Sequence, residues 1–306
     1  MNTSIKNVFL FCLASTLVLS ACGGGSGGST EATSGSGTIS LNITDAPIDS
    51  ASKVVVAFTG VSVKPENGAA FDIDFVDANG KPVVKSIDLL QQQGSHSEPI
   101  LINHTLAAGH YDWMRLNVLA SQHSSDSYIE LDNGLQHSLY VPSGDETGLK
   151  LNRGFDITSG GAVTFTIDFD LRKSIVVPGN NSQDYKLRPS LRIVNNTTVG
   201  HISGSIGSVT LTDASCAGHT DYAVYVFTGA DVTPDDVDND GVEPVATALV
   251  STTYEYAVGF LEQGTYTIAF TCEAADDDNE ADETIDFIGT TNVTVTAGAT
   301  TTYNFN

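Results

Sequence analysis

The chain has 306 residues, of which 37 are Asp or Glu and only 13 are Lys or Arg, giving a formal net charge of −24. So acidic a balance excludes nucleic acid as a partner, because the phosphate backbone calls for a cationic footprint. With 41% hydrophobic residues the chain can also bury a core, which excludes wholesale disorder.

The first element is a short leader. Met1 to Asn7 is polar with one cation, Lys6, and Val8 to Leu19 is predominantly apolar. Residues 8–19 are too few to span a hydrocarbon core, which takes about 20 in a helix. A charged start, a short apolar run and small residues at its end form a signal peptide over residues 1–21. Leu19-Ser20-Ala21-Cys22 resembles the lipobox of bacterial lipoproteins. That resemblance implies cleavage before Cys22, a diacylglycerol thioether on its sulfur and an acyl chain, such as palmitate, on its amine. Each buried methylene contributes about 0.8 kcal/mol, so two or three chains anchor the protein firmly to a membrane. Gly rather than Asp at position 23 matches the enteric sorting pattern for the outer membrane, with the body on its periplasmic or surface face.

Residues 22–37 form a tether of Gly, Ser and Thr with a single charge, Glu31. Its root-mean-square span is about 20 Å, enough to lift the folded part off the headgroups. Gly24 to Gly28 has the letters of a nucleophile elbow but lacks the strand before it and the helix after it.

A first folded block spans residues 38–196. Ile39, Leu41 and Ile43 alternate with polar residues, the period of a half-buried strand. Asp45-Ala46-Pro47 ends it, with Asp45 capping the turn. Val54 to Val63 is a β-branched run broken at Gly60, and Phe71 to Phe75 is apolar on one face and acidic on the other. Asn67-Gly68, Asn79-Gly80 and Asn133-Gly134 supply hairpin turns, the last joining Tyr128–Leu131 to Leu135–Val141. Phe165, Ile167, Phe169 and Leu171 alternate with Thr166, Asp168 and Asp170, and Leu187 to Val194 closes the block. The best helical stretch is Ile87 to Gln93, stopped by Gly94. Regular short strands with turns between them predict an all-β sandwich, and the pattern resembles the immunoglobulin/prealbumin-like class.

Gly37-Thr-Ile-Ser-Leu-Asn-Ile-Thr-Asp-Ala-Pro47, with Val54 to Val61, Leu106 to Tyr111 and Leu187 to Leu191, resembles an uncharacterised family of bacterial and archaeal envelope lipoproteins. The likeness covers residues 37–195 and implies fold and location without an activity.

Asn195 to Gly200 reads as a hinge before a second block at residues 200–306. This block has no Lys or Arg and holds 18 of the acids; the first block holds 18 acids against 12 cations, so the two carry −18 (18 minus 0) and −6 (18 minus 12). A surface of that density repels nucleic acid and anionic headgroups and attracts cations. His201–Ile206, Tyr222–Phe227, Tyr266–Phe270, Asn292–Thr296 and Thr301–Phe305 carry the strand pattern, predicting a second β-sandwich. Phe260 to Ile268 and Val293 to Tyr303 are similar to the later strands of prealbumin-like, carboxypeptidase-regulatory-like sandwiches. There is an internal echo too. Gly37-Thr-Ile-Ser-x-x-Ile43 matches Gly200-His-Ile-Ser-x-x-Ile206, and Leu106-x-x-Gly-x-Tyr111 matches Leu261-x-x-Gly-x-Tyr266. Either two related sandwiches or ordinary sandwich sequence explains it. Cys216 and Cys272 remain in the exported body and are expected to form one disulfide, worth about 4 kcal/mol for a loop of that length.

Asp236-Val-Asp238-Asn-Asp240-Gly241 has the first half of a calcium loop, in which alternating carboxylates converge on a hard cation. Position twelve is Thr247 rather than Glu, and Pro234 and Pro244 argue against flanking helices. Ca2+ held by Asp236, Asp238, Asp240 and Glu243 is one reading, with Asp231 or Asp276 to Glu283 completing the shell. A solvated acidic loop is the other. The pairs Asp72/Asp74 and Asp168/Asp170 would be an acid and base only if a cleft joined them, and they fit the wet faces of sheets better. His96, His104 and His110 fit surface positions better than a metal site. Trp113 is expected on one strand face with Tyr111 and Arg115, where it would stack a sugar or pack on a neighbour. The sequence therefore points to a lipid-anchored envelope protein with a binding, adhesion or scaffolding role, with a glycan or envelope protein as partner. A carbohydrate-active or other hydrolase using loop carboxylates and a pilus-like assembly subunit are the alternatives.

Overall fold

A computed structural model describes residues 35–306, apart from 47, 49–50, 143–147, 152, 180–182, 189 and 239. The leader, the lipobox cysteine Cys22 and most of the Gly/Ser tether lie outside the described residues. Ser34–Asn306 form one compact unit.

That unit is all-β and holds two pairs of sheets. In the N-terminal pair, a four-stranded sheet runs in the order Leu191–Asn195, Ala162–Asp170, Ser36–Ala46, Glu98–Ala107. The opposing sheet is built around the long strand Ala51–Pro65, which pairs with both Gly109–Val118 and Tyr128–Leu131. Ile39, Leu41, Ile43 and Ile167 from one sheet meet Val54, Val56, Phe58 and Met114 from the other in a single core. In the C-terminal pair, Glu255–Glu262, Val199–Ser205 and Thr300–Thr302 form a three-stranded sheet. It faces a four-stranded sheet of Ala246–Leu249, Ala223–Thr228, Gly264–Thr271 and Phe287–Val295, with Ile202, Val258, Val226 and Ile268 between them. Burying side chains of this size contributes about 1.5–3 kcal/mol each, so the alternating apolar positions drive both pairings. Cys216 and Cys272 are joined by a disulfide within the second core, with Cα atoms 5.0 Å apart.

The internal echo is structural. The first strand of each half runs parallel to a late strand and antiparallel to the strand before the Leu-x-x-Gly-x-Tyr segment. Thr38 N–H donates to Gly161 O and His201 N–H to Ala299 O, both at 2.9 Å. Gly160 N–H donates to Ser36 O, and Gly298 N–H to Val199 O, from left-handed residues at φ +70 and +71. A Cβ on Gly37 would lie 2.4 Å from Thr158 O, and one on Gly200 2.3 Å from Thr296 O, so both clasps demand glycine. The Tyr111 hydroxyl donates to Ala107 O at 3.1 Å and the Tyr266 hydroxyl to Glu262 O at 2.7 Å, the same corner four residues back. The same clasp and the same corner recur in both halves.

Other expectations are corrected. Ile87 to Gln93 is the end of strand Lys85–Asp88 followed by a 3-10 turn at Leu89–Gln91, because Ala51–Pro65 offers it a partner strand. Asp45 caps no turn; it continues its strand opposite Phe169 and is buried. Asn195 to Gly200 is a tight turn between strands, with Thr198 N–H on Asn195 O at 2.9 Å. Tyr111 does not share a face with Trp113, since a register shift between Lys64 and Pro65 turns it into the core against Phe155. Trp113 instead has two neighbouring cations over its ring, Arg115 at 5.0 Å and Lys150 at 5.5 Å from its centroid.

Candidate functional site

The two halves meet where a cationic turn enters an acidic one. Asp170 ends its strand and accepts Lys173 N–H, which caps the helical turn Leu171–Ser174. That turn presents Arg172 and Lys173 to two loops of the C-terminal half, residues 229–245 and 272–286. The Arg172 guanidinium donates to Ala274 O at 2.6 Å and to the Tyr225 hydroxyl at 3.1 Å, and lies 3.7 Å from the Asp277 carboxylate. The Tyr225 hydroxyl in turn donates to Asp277. Asn279 returns hydrogen bonds to Arg172 O at 2.5 Å and Ile175 O at 3.1 Å. Lys173 reaches Glu243 and Pro244 O, both at 2.6 Å, and Arg188 pairs with Glu280 at 2.9 Å. Arg172 and Asp277 have side chains only 4% and 0% exposed, so this pair is desolvated and depends on its hydrogen bonds. Burial pushes Asp277 up, while the Tyr225 hydroxyl and Arg172 charge pull it down.

Beside this junction the two loops gather carboxylates. One oxygen each from Asp236, Asp277 and Glu283 lies within 4.8 Å of the others, and the same holds for Asp236, Asp238 and Asp282. Asp236 is common to both triads. At that spacing two carboxylates repel by about 3 kcal/mol at an effective dielectric near 20. Of the expected set, Asp236 and Asp238 meet Asp277, Asp282 and Glu283 of the run Asp276 to Glu283, while Asp240 and Glu243 lie outside the two triads. Asp240 is exposed and accepts Gly241 N–H, and Glu243 is taken by Lys173. Asp231 exchanges hydrogen bonds with Asn292. Thr247, at position twelve, is buried in a strand. Gly241 does make the sharp turn, at φ +59.

The remaining candidates do not converge. Asp72 and Asp74 lie on a strand paired with Ala51–Pro65, whereas Asp168 and Asp170 belong to the opposing sheet. Asp168 and Asp170 are not on a wet face: both are buried, and Asp168 is held by Arg192. Together with Asp45 they make a buried acidic group near Ala246, Thr247 and Ala257 of the C-terminal half. Burial pushes Asp45 well above the usual carboxylate range, with Asp168 and Asp170 adding to it; burial likewise pushes Asp170 up to about 6. No metal-capable cluster among the described residues contains a histidine. A cavity of about 660 Å³ between Gly94, Ser203, Ala257 and Asn304 has Glu255 as its one lining carboxylate.

Paired sheets around two cores, closed by a buried polar junction, define an all-β sandwich protein. Residues 36–189, half of the chain, match the family described as a domain of unknown function, DUF4382, and the protein belongs to that family. No curated protein matches the chain. Among solved structures, it is similar at 10% identity and a TM-score of 0.22 to the TIE protein of Bacillus anthracis, covering 89% of this chain and 34% of that one. It thus spans about a third of that protein's length. The minor pilin GBS52 of Streptococcus agalactiae follows at 10% identity and a TM-score of 0.20, with 88% and 94% covered. The major pilin subunit BcpA of Bacillus cereus has 10% identity, a TM-score of 0.20, and 89% and 99% covered. Overlaps of this size say nothing about what the protein does.

Proposed function

We propose that this protein is a lipid-anchored envelope protein with a non-catalytic role, presenting a stiff two-sandwich body for binding, adhesion or scaffolding. The lipobox-like Leu19 to Cys22 and the Gly/Ser tether supply the anchor and the reach. The observation that carries the reading is the buried contact of Arg172 with Tyr225, Ala274 and Asp277. It joins the halves without a hinge, which suits presentation of a surface rather than closure on a substrate. Glycans and envelope proteins are the partners this reading expects, at the outer membrane. Fractionation tests it: Cys22→Ser is expected to move the protein from membranes to the soluble fraction, and unchanged membrane association contradicts the anchor. Turnover of a glycan panel by the delipidated body would contradict the non-catalytic role.

A pilus-like subunit is the second reading. It is favoured by the last strand, Thr300–Thr302, which lies at a sheet edge with Phe305 buried beyond it. Removing residues 300–306 and finding a purified species that captures a synthetic peptide of that sequence supports it; no capture excludes a strand-exchange mechanism.

A further inference from the structure

We propose that Asp236, Asp238, Asp277, Asp282 and Glu283 bind one hard divalent cation, Ca2+ by size, which ties loop 229–245 to loop 272–286. A cluster of acids does not suffice for such a site, but Asp236 adds an independent sign. It is 2% exposed, its Oδ2 accepts Glu283 N–H at 2.8 Å, and its Oδ1 has no donor among the described residues. A buried carboxylate oxygen without a partner is costly, and a cation at the shared corner of the two triads satisfies it. Asp236, Asp238, Asp282 and Glu283 form no ion pair with any Lys, Arg or His among the described residues; Asp236, Asp238 and Glu283 accept only backbone N–H groups there.

The donor set selects the ion. All five ligands are carboxylates, which favours a hard cation over the thiolate- and imidazole-seeking metals. Oxygens opposed across Ca2+ lie about 4.6–5.2 Å apart, twice its usual bond length, and within each triad the three oxygens lie within 4.8 Å of one another. Mg2+ would draw opposed oxygens to about 4.2 Å in a near-ideal octahedron, which a set drawn from two loops meets poorly. The ion also has a mechanical consequence. The same two loops carry Ala274, Asp277, Asn279 and Glu243, which hold Arg172 and Lys173, so binding stiffens the grip of the C-terminal half on the N-terminal one. This inference stands apart from the envelope role and survives its failure.

The test uses the full chain stripped with EDTA and then titrated. Terbium luminescence, sensitised by Tyr225 next to Asp277, should appear and be displaced by calcium chloride, and calcium at millimolar concentration should raise the melting temperature. Asp236→Asn should weaken calcium at least about tenfold, and exposed Asp282→Asn several-fold without disturbing folding. Asp240→Asn and Glu280→Gln should bind as the parent does. No calcium binding at millimolar concentration overturns the proposal, as does magnesium binding of equal strength. Parental affinity in Asp282→Asn overturns it too, and that variant decides the matter alone if Asp236→Asn fails to fold.

Discussion

The two halves share a backbone device and differ in charge. Each begins with a strand clasped at a glycine, Gly37 or Gly200, and each turns a corner under a tyrosine hydroxyl, Tyr111 or Tyr266. Yet the N-terminal half holds every cation of the folded body, and the C-terminal half has only acids. The repeated topology therefore comes from short-range backbone geometry, while what distinguishes the halves is how each neutralises its loops. The C-terminal half borrows Arg172, Lys173, Arg188 and Arg153 from its neighbour. Borrowing stops at Asp236 and Asp282, and it is there that a bound cation is proposed to take over.

If borrowed charge fastens the halves, removing it should cost most at the buried pair. Arg172→Met strands Asp277 in a dry site and is expected to destabilise by about 3–5 kcal/mol, read by urea denaturation. Exposed Arg153→Ala, by contrast, should cost less than about 1 kcal/mol.

The buried acids of the N-terminal half give a pH signature of their own. Asp170 is raised from 3.8 to about 6, so between those values the native state holds a proton that the unfolded chain has released. Stability from this group is full below about pH 4, falls as pH rises, and is gone above about pH 6; Asp45 and Asp168 push the same way. Asp170→Asn keeps the cap and should stabilise the protein at about pH 8 by up to about 3 kcal/mol, flattening the profile measured by thermal melts.

Close backbone approach is the next test. Gly259 and Gly94 bring the halves together, and a Cβ at Gly259 would sit 1.8 Å from Gly94 O. Gly259→Ala should cost about 1–3 kcal/mol or more, whereas Gly134→Ala at an open hairpin should cost less, both by calorimetry. The smallest effect tests the repeat itself: Tyr111→Phe and Tyr266→Phe should each cost about 1 kcal/mol, and to a similar degree.

Much of the fold was readable from local pattern. Ile39, Leu41 and Ile43 alternate and are buried as expected, Asn133-Gly134 closes its hairpin, and Cys216 finds Cys272. Strands Ala246–Leu249 and Glu255–Glu262 were missed, because Ala and Thr dominate the first and a left-handed Phe260 interrupts the second. Ile87 to Gln93 misled because strand pairing outweighed local helical preference. The junction left no pattern at all, since Arg172 and Asp277 are far apart in sequence. For the acidic cluster the sequence supplied the acids, the glycine turn and the second run Asp276 to Glu283, but spacing along one loop does not reveal that Asp240 and Glu243 stay out of it. Asp168 and Asp170 looked solvated because nothing in their own strand announces the half that covers them.

Ser34–Asn306 is one compact unit, so its two halves should unfold together. Equilibrium urea unfolding followed both by Trp113 fluorescence, which reports the N-terminal half alone, and by far-ultraviolet circular dichroism tests it most directly. The account predicts coincident transitions in the parent and separated ones in Arg172→Met. Separated transitions in the parent would contradict it.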